Sequence, residues 1–126
     1  MSGLVRDPGD SGQPIRWYRA DAIAVGDQEL QHSFAVIGER LLRDWPVTEV
    51  STMATADLDV LLAAGPELIL IGSGLRQRQL PPPVLYHGLS QGVGIEVMGN
   101  DAAARTYNLL LAEDRNVLAA FVLPAI

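Results

Sequence analysis

The chain has 126 residues, of which 48% are hydrophobic and 19% charged, and this composition suits one domain with its own apolar core. Its net charge of −6 argues against binding to nucleic acid or to an anionic membrane, because both need a basic surface. Cysteine and lysine are absent, which excludes disulfides, thiolate nucleophiles, zinc–cysteine sites and Schiff-base chemistry. His32 and His87 lack metal-ligand spacing, so we predict no metal and no cofactor.

The chain also lacks the patterns that direct proteins to membranes. No apolar run approaches the ~20 residues that a membrane-spanning helix needs. The first ten residues contain no basic segment followed by an apolar one, so they do not match a signal peptide. We therefore expect a cytoplasmic protein without a transmembrane segment.

The first half of the chain is rich in strand-forming segments. Residues 1–14 are dominated by glycine, proline, serine and aspartate, which predicts a flexible tail before a single domain of residues 15–126. Strands are predicted in four short segments, and the middle pair flanks a turn at Gly26-Asp27, as in a β-meander. These segments are residues 15–20, 22–25, 28–31 and 33–37. Residues 39–44 fit either a helical turn or a strand, and residues 47–50 predict a short strand.

Helices alternate with apolar strands in the second half. Thr55 or Asp57 can cap a helix that ends near Ala64. The remaining predicted elements are a strand at 67–71, a helix at 84–91, a strand at 93–98, a helix at 102–113 and a strand at 117–123. Asn100 or Asp101 can cap the helix at 102–113. The last strand lacks alternation, which indicates cover on both faces. This order favours an α/β fold with a largely parallel sheet.

The most distinctive sequence is a glycine-rich turn at the end of the strand at 67–71. Gly72, Ser73 and Gly74 follow four aliphatic residues, and Arg76 and Arg78 come next. Long loops at the carboxyl ends of such strands often carry ligand sites. The glycines fit two interpretations, a turn that only needs glycine or a turn whose N–H groups hold an anion. The dinucleotide fingerprint is not matched, because it requires a third glycine three residues after Gly74.

The helix at 101–113 supplies the second group of candidate residues, namely Arg105, Thr106 and Asn108. An asparagine inside a helix lowers helix propensity, so it suggests a specific hydrogen bond. Two interpretations remain open: a clamp that holds the loop 72–80, or a polar binding site shared with Ser73 and Arg76. A serine nucleophile is not favoured, because the sequence around Ser73 does not match the nucleophile elbow.

Three blocks together resemble a small-domain family that includes uncharacterised bacterial and archaeal proteins and the third assembly factor of mitochondrial respiratory complex I. The blocks are residues 67–74 with Arg76 and Arg78, residues 94–98, and residues 103–117. The resemblance implies a three-layer α/β fold around a mixed sheet of about five strands, the last antiparallel to the others. It implies action through protein contacts and no enzyme activity. Gly99-Asn100-Asp101 and Glu113-Asp114-Arg115 depart from the family pattern.

The sequence therefore predicts an α/β domain in which a β-rich amino-terminal half is placed on a mixed, mostly parallel sheet. Its predicted function is a non-enzymatic interaction or assembly-factor-like module that uses the loop 72–80 and helix 101–113. The alternative is an enzyme or sensor that binds a small anionic ligand at the Gly72-Ser73-Gly74 turn.

Overall fold

The computed structural model describes residues 12–126, so most of the predicted flexible tail lies outside the described residues. The strands are β1 Ile15–Tyr18, β2 Ile23–Val25, β3 Gln28–Leu30, β4 Phe34–Ile37, β5 Arg40–Leu42, β6 Leu68–Gly72, β7 Gly94–Met98 and β8 Val117–Phe121. The helices are α1 Thr55–Leu62, α2 Pro82–Ser90 and α3 Asn100–Ala112. Gln13 N–H donates to Gly38 O at 3.2 Å, so the ordered contacts begin before residue 15.

A five-stranded mixed sheet forms the centre of the domain, in the order β5-β4-β8-β6-β7. β6 is parallel to both β7 and β8, whereas β4 is antiparallel to β5 and β8. The predicted mixed sheet is confirmed. The expectation that the last strand is antiparallel to the others is wrong, because β8 follows β7 through helix α3, and a crossover of this kind returns the chain in the same direction.

Side-chain alternation along the strands divides the core between the two faces of this sheet. On one face lie α3 and a second, antiparallel sheet of β1, β2 and β3. On the other face lie α1, α2 and residues 45–53. Every residue of β8 is buried, which confirms the predicted cover on both of its faces. The result is the three-layer single domain that the sequence predicts.

The secondary structure of two neighbouring segments was either left open or predicted wrongly. Residues 39–44, which fit a helical turn or a strand, contribute β5. Residues 47–50 form no strand, and a short 3-10 turn, Val50–Thr52, begins at the last of them. Val47 and Val50 are nevertheless buried in the core on the α1 side, so their apolar pattern reflects burial and not strand pairing.

Candidate functional site

The glycine-rich turn lies where the chain leaves β6. Gly72 has no room for a side chain, because a Cβ atom there would meet Asn100 Oδ1 and would lie 2.8 Å from Phe121 Cδ1. Gly74 has a φ of +114°, a backbone conformation that side chains disfavour. Both glycines are therefore required by local structure.

Ser73 organises the loop that follows. The residue is only 1% exposed. Its hydroxyl is within hydrogen-bonding distance of Arg76 O at 2.8 Å and Met98 O at 3.2 Å, and it accepts the Arg78 N–H at 3.1 Å. A buried hydroxyl that donates to backbone carbonyls is poorly placed to act as a nucleophile.

The backbone N–H groups of the turn are used within the fold. Those of Ser73, Gly74 and Leu75 donate to Met98 O at 2.8 Å, Asn100 Oδ1 at 3.0 Å and Ile126 O at 3.1 Å. An anion-binding turn needs free N–H groups that point at the ligand. This geometry disfavours the alternative of an enzyme or sensor that binds a small anionic ligand at the turn.

Asn100 is the residue that clamps the loop, and the sequence had suggested it only as a helix cap. It is 5% exposed, and Gly99 is the capping residue instead. The Asn100 side chain accepts from Gly74 N–H at 3.0 Å and donates from Nδ2 to Val122 O at 2.9 Å. It thus joins the segments that follow β6 and β8. No local sequence signal distinguished this role from capping, because a polar residue at the start of a helix fits both.

The three predicted residues of α3 do not gather beside the loop. Asn108 accepts from Ile15 N–H and donates to Ile15 O, both at 2.8 Å, so it clamps β1. Arg105 donates to the Tyr18 hydroxyl at 3.1 Å, and Thr106 Oγ1 lies 3.6 Å from Met98 Sδ. The interpretation of Asn108 as the loop clamp is wrong. The amino-terminal end of α3 contacts the loop through Asn100 and Gly74, and a helix rises ~12 Å over the eight residues that follow Asn100.

Two depressions flank the loop. The first has a volume of about 290 Å³ and lies at the amino-terminal end of α3; it is lined by Tyr18, Arg19, Ala20, Gly74, Leu75, Asn100, Asp101 and Ala125. The second, of about 400 Å³, lies between α2 and β7, and we name it the α2–β7 groove. It is lined by Gln77, Arg78, Gln79, Leu80, Pro82, Leu85, Tyr86, Ile95 and Val97. The loop 72–80 contributes to both.

The α2–β7 groove combines an aromatic side chain with one uncompensated charge. Tyr86 is 68% exposed and projects from α2. Arg78 is the only charged residue among the lining residues, and its Nε atom is buried without a hydrogen-bond partner among the described residues. Arg76 is exposed. The predicted arginines are thus in different environments, one partly buried in the groove and one in solvent.

The floor of the groove is set by a close approach of α2 to the sheet. A Cβ atom on Gly88 of α2 would overlap Ile95 Cδ1, so glycine lets the helix lie against β7. On the other side of α2, His87 Nε2 lies 2.6 Å from Asp59 Oδ1 of α1. Within residues 12–126, no cluster of three or more histidine, aspartate or glutamate side chains is arranged to hold a metal.

A three-layer α/β domain with an open sheet edge and a glycine-rich loop defines the class of this protein. The chain belongs to a family of proteins of unknown function (DUF498/DUF598), whose family model matches residues 15–122. A Xanthomonas campestris protein solved by NMR is 36% identical with a TM-score of 0.82, covering 98% of this chain and 93% of that one. The predicted family resemblance is confirmed.

Two curated relatives have descriptive names. The chain is 37% identical over 71 residues, or 56% of its length, to a 13 kDa major membrane protein of Francisella tularensis. It is 27% identical over 112 residues, or 87% of its length, to the NADH dehydrogenase [ubiquinone] 1 alpha subcomplex assembly factor 3 of Xenopus tropicalis. The matches span 58% and 61% of those relatives' lengths. Among the described residues of this chain, no helix is long and apolar enough to cross a membrane.

Proposed function

We propose that this protein is a non-enzymatic protein-interaction module whose binding surface is the α2–β7 groove together with the loop 72–80. The observation that carries the proposal is the groove itself. It places the exposed Tyr86 beside Arg78, whose buried Nε atom has no partner within residues 12–126. Tyrosine and arginine are enriched at the centres of protein interfaces, where they contribute much of the binding energy.

The chemistry of the loop supports a binding role over catalysis. The Ser73 hydroxyl and the N–H groups of the turn serve the fold, which leaves the outer part of the loop to present side chains. Helix 101–113 contributes its amino-terminal end, where Asp101 lines the first depression. Arg105 donates a hydrogen bond to Tyr18, which also lines the first depression.

The similarity to an assembly factor also favours a role in protein interaction. The Xenopus relative is named for the assembly of NADH dehydrogenase, and it aligns over 87% of this chain. On this similarity we propose an assembly-factor-like role here as well.

Site-specific photocrosslinking tests the proposal. A photoreactive phenylalanine analogue replaces Tyr86 in one variant and Leu109 in a control. Leu109 is 60% exposed and lies on α3, across the sheet from the groove. In native cell extract we expect a discrete crosslinked protein with the Tyr86 variant that is absent with the Leu109 variant. Identical products from both variants, or none from either, would refute the proposed surface.

We also propose a cytoplasmic location. The acidic composition supports it, since an excess of carboxylates disfavours contact with anionic lipid. The name of the Francisella relative points the other way. Cell fractionation decides between the two: recovery in the soluble fraction at low ionic strength is the expected outcome, and recovery with membranes after a high-salt wash contradicts it.

A further inference from the structure

Strand β7 is an edge strand, and its outward backbone groups can be identified. In the described chain it pairs only with β6. Gly94 N–H donates to Glu67 O and Met98 O accepts from Ser73 N–H, so residues 94 and 98 direct their polar groups toward β6. Backbone N–H and C=O groups alternate in direction along a strand. Those of Ile95 and Val97 therefore point away from β6, toward the open edge of the sheet.

A side chain of the loop already uses part of this edge. Gln77 Nε2 donates to Val97 O at 3.1 Å, in the position that an N–H group of a neighbouring strand would take. Gln77 is exposed, so the side chain can leave at little cost. An unpaired edge with well-placed groups is a template for an added strand, and this is one of the recurring modes of peptide recognition.

The side chains around the edge define what the added strand must carry. Ile95 and Val97 line the α2–β7 groove with Leu85 and Tyr86, and these four present an apolar and aromatic wall. Glu96 lies between Ile95 and Val97 in the strand and is absent from the groove lining, so it faces the other side of the sheet. No carboxylate lines the groove to balance Arg78, although the chain as a whole carries a net charge of −6.

We propose, resting on the function proposed above, that β7 binds an extended segment of a partner protein as an additional strand. The segment carries apolar side chains that enter the groove and one aspartate or glutamate that pairs with Arg78. Backbone hydrogen bonds to Ile95 and Val97 supply register, and the apolar wall and the arginine supply specificity.

A second copy of this chain fits less well as the occupant. Antiparallel pairing of two β7 strands around a two-fold axis keeps like faces of the two sheets on the same side. Glu96 of each copy would then stay on the α3 side, and the groove side of the pair would carry two Arg78 side chains and no carboxylate from either groove lining. The charge of Arg78 therefore favours an acidic segment of another protein.

Selection from a phage-displayed library of random decapeptides tests this inference with the full chain. We expect the bound peptides to alternate apolar and β-branched residues and to contain an acidic residue. Affinity should fall about tenfold or more in Arg78→Gln, the loss of one charge-assisted hydrogen bond. Replacing the peptide's acidic residue by its amide should cause a similar loss, with little further loss in Arg78→Gln.

A second variant tests the strand addition itself. Val97→Pro removes the outward N–H group and is compatible with an edge strand, so we expect a circular dichroism spectrum like that of the wild type and loss of peptide binding. Leu109→Ala, on α3, is the control and should bind as the wild type does.

Three outcomes would overturn the inference: no enrichment of an acidic extended sequence, peptide binding unchanged in Arg78→Gln, or a wild-type dimer that binds no peptide. Success of the Tyr86 photocrosslink with failure of the peptide selection would retain the interaction module and reject the extended segment.

Discussion

Asn100 is the residue whose removal should reveal how the loop is held. The change Asn100→Ala deletes the acceptor for Gly74 N–H and the donor for Val122 O, two bonds of 3.0 and 2.9 Å in a 5% exposed environment. Leaving a buried polar group without a partner costs about 1–3 kcal/mol, so two such groups set a range of about 2–6 kcal/mol. Asn100 also lines the first depression, through which water can reach the freed groups. We therefore expect a loss of unfolding free energy in the lower half of that range, about 2–4 kcal/mol.

Urea denaturation measures this loss as a lower midpoint at an unchanged slope. Asn116→Ala is the matched control, because the same side chain is removed where it makes one exposed hydrogen bond to Gly65 O at 3.0 Å. We expect the control to lose about 1 kcal/mol or less. Hydrogen exchange at Gly74 N–H should accelerate in Asn100→Ala and stay unchanged in the control. Equal losses in the two variants would refute the role of Asn100 as the clamp.

Three further predictions concern the same region and the core. Gly72→Ala should destabilise the fold by about 1–3 kcal/mol because its methyl group displaces Asn100, whereas Gly94→Ala meets only a flexible side chain at 3.2 Å and should cost less; thermal unfolding of both decides. A serine-reactive fluorophosphonate probe should not label the native protein, since the Ser73 hydroxyl is buried, and labelling that disappears in Ser73→Ala would contradict this. Burial raises the pKa of Tyr107 well above its usual range, so the native state holds the phenolic proton where the unfolded chain releases it. Stability should therefore be intact below about pH 10 and fall above it, and Tyr107→Phe should remove part of that fall in urea titrations across pH, a result that an unchanged pH profile would contradict.

Local sequence predicted the elements of the second half well, because proline and glycine mark their ends. The strand before Gly72, the helix after the prolines at 81–83 and the final buried strand were all identified within a few residues. The segment at 47–50 was misassigned, since Val47 and Val50 are apolar for the sake of burial and have no strand partner. Apolar pattern reports which side chains are buried, and it does not report whether the backbone is paired.

Some of the residues singled out by sequence line the two depressions beside the loop. Residues of the loop 72–80 line both depressions, and Arg78 lines the α2–β7 groove. Asn108 was assigned to the wrong partner, because spacing along a helix gives the face of a residue but not the element that the face meets. The contribution of α2 was missed for a related reason. Leu85 and Tyr86 form a groove only because α2 lies beside the edge strand β7, and the sequence does not show that placement.

The sequence by itself determined the α/β class of this domain, the absence of cysteine and lysine chemistry, and the turn at Gly72-Ser73-Gly74. These follow from composition and local periodicity, which depend only on residues that are close together in the sequence. Tertiary structure decided that β8 is parallel to β6, that Asn100 holds the loop, and that β7 is an edge beside Arg78. Each of these depends on contacts between residues distant in sequence, and such contacts are set by how whole elements are arranged around the sheet.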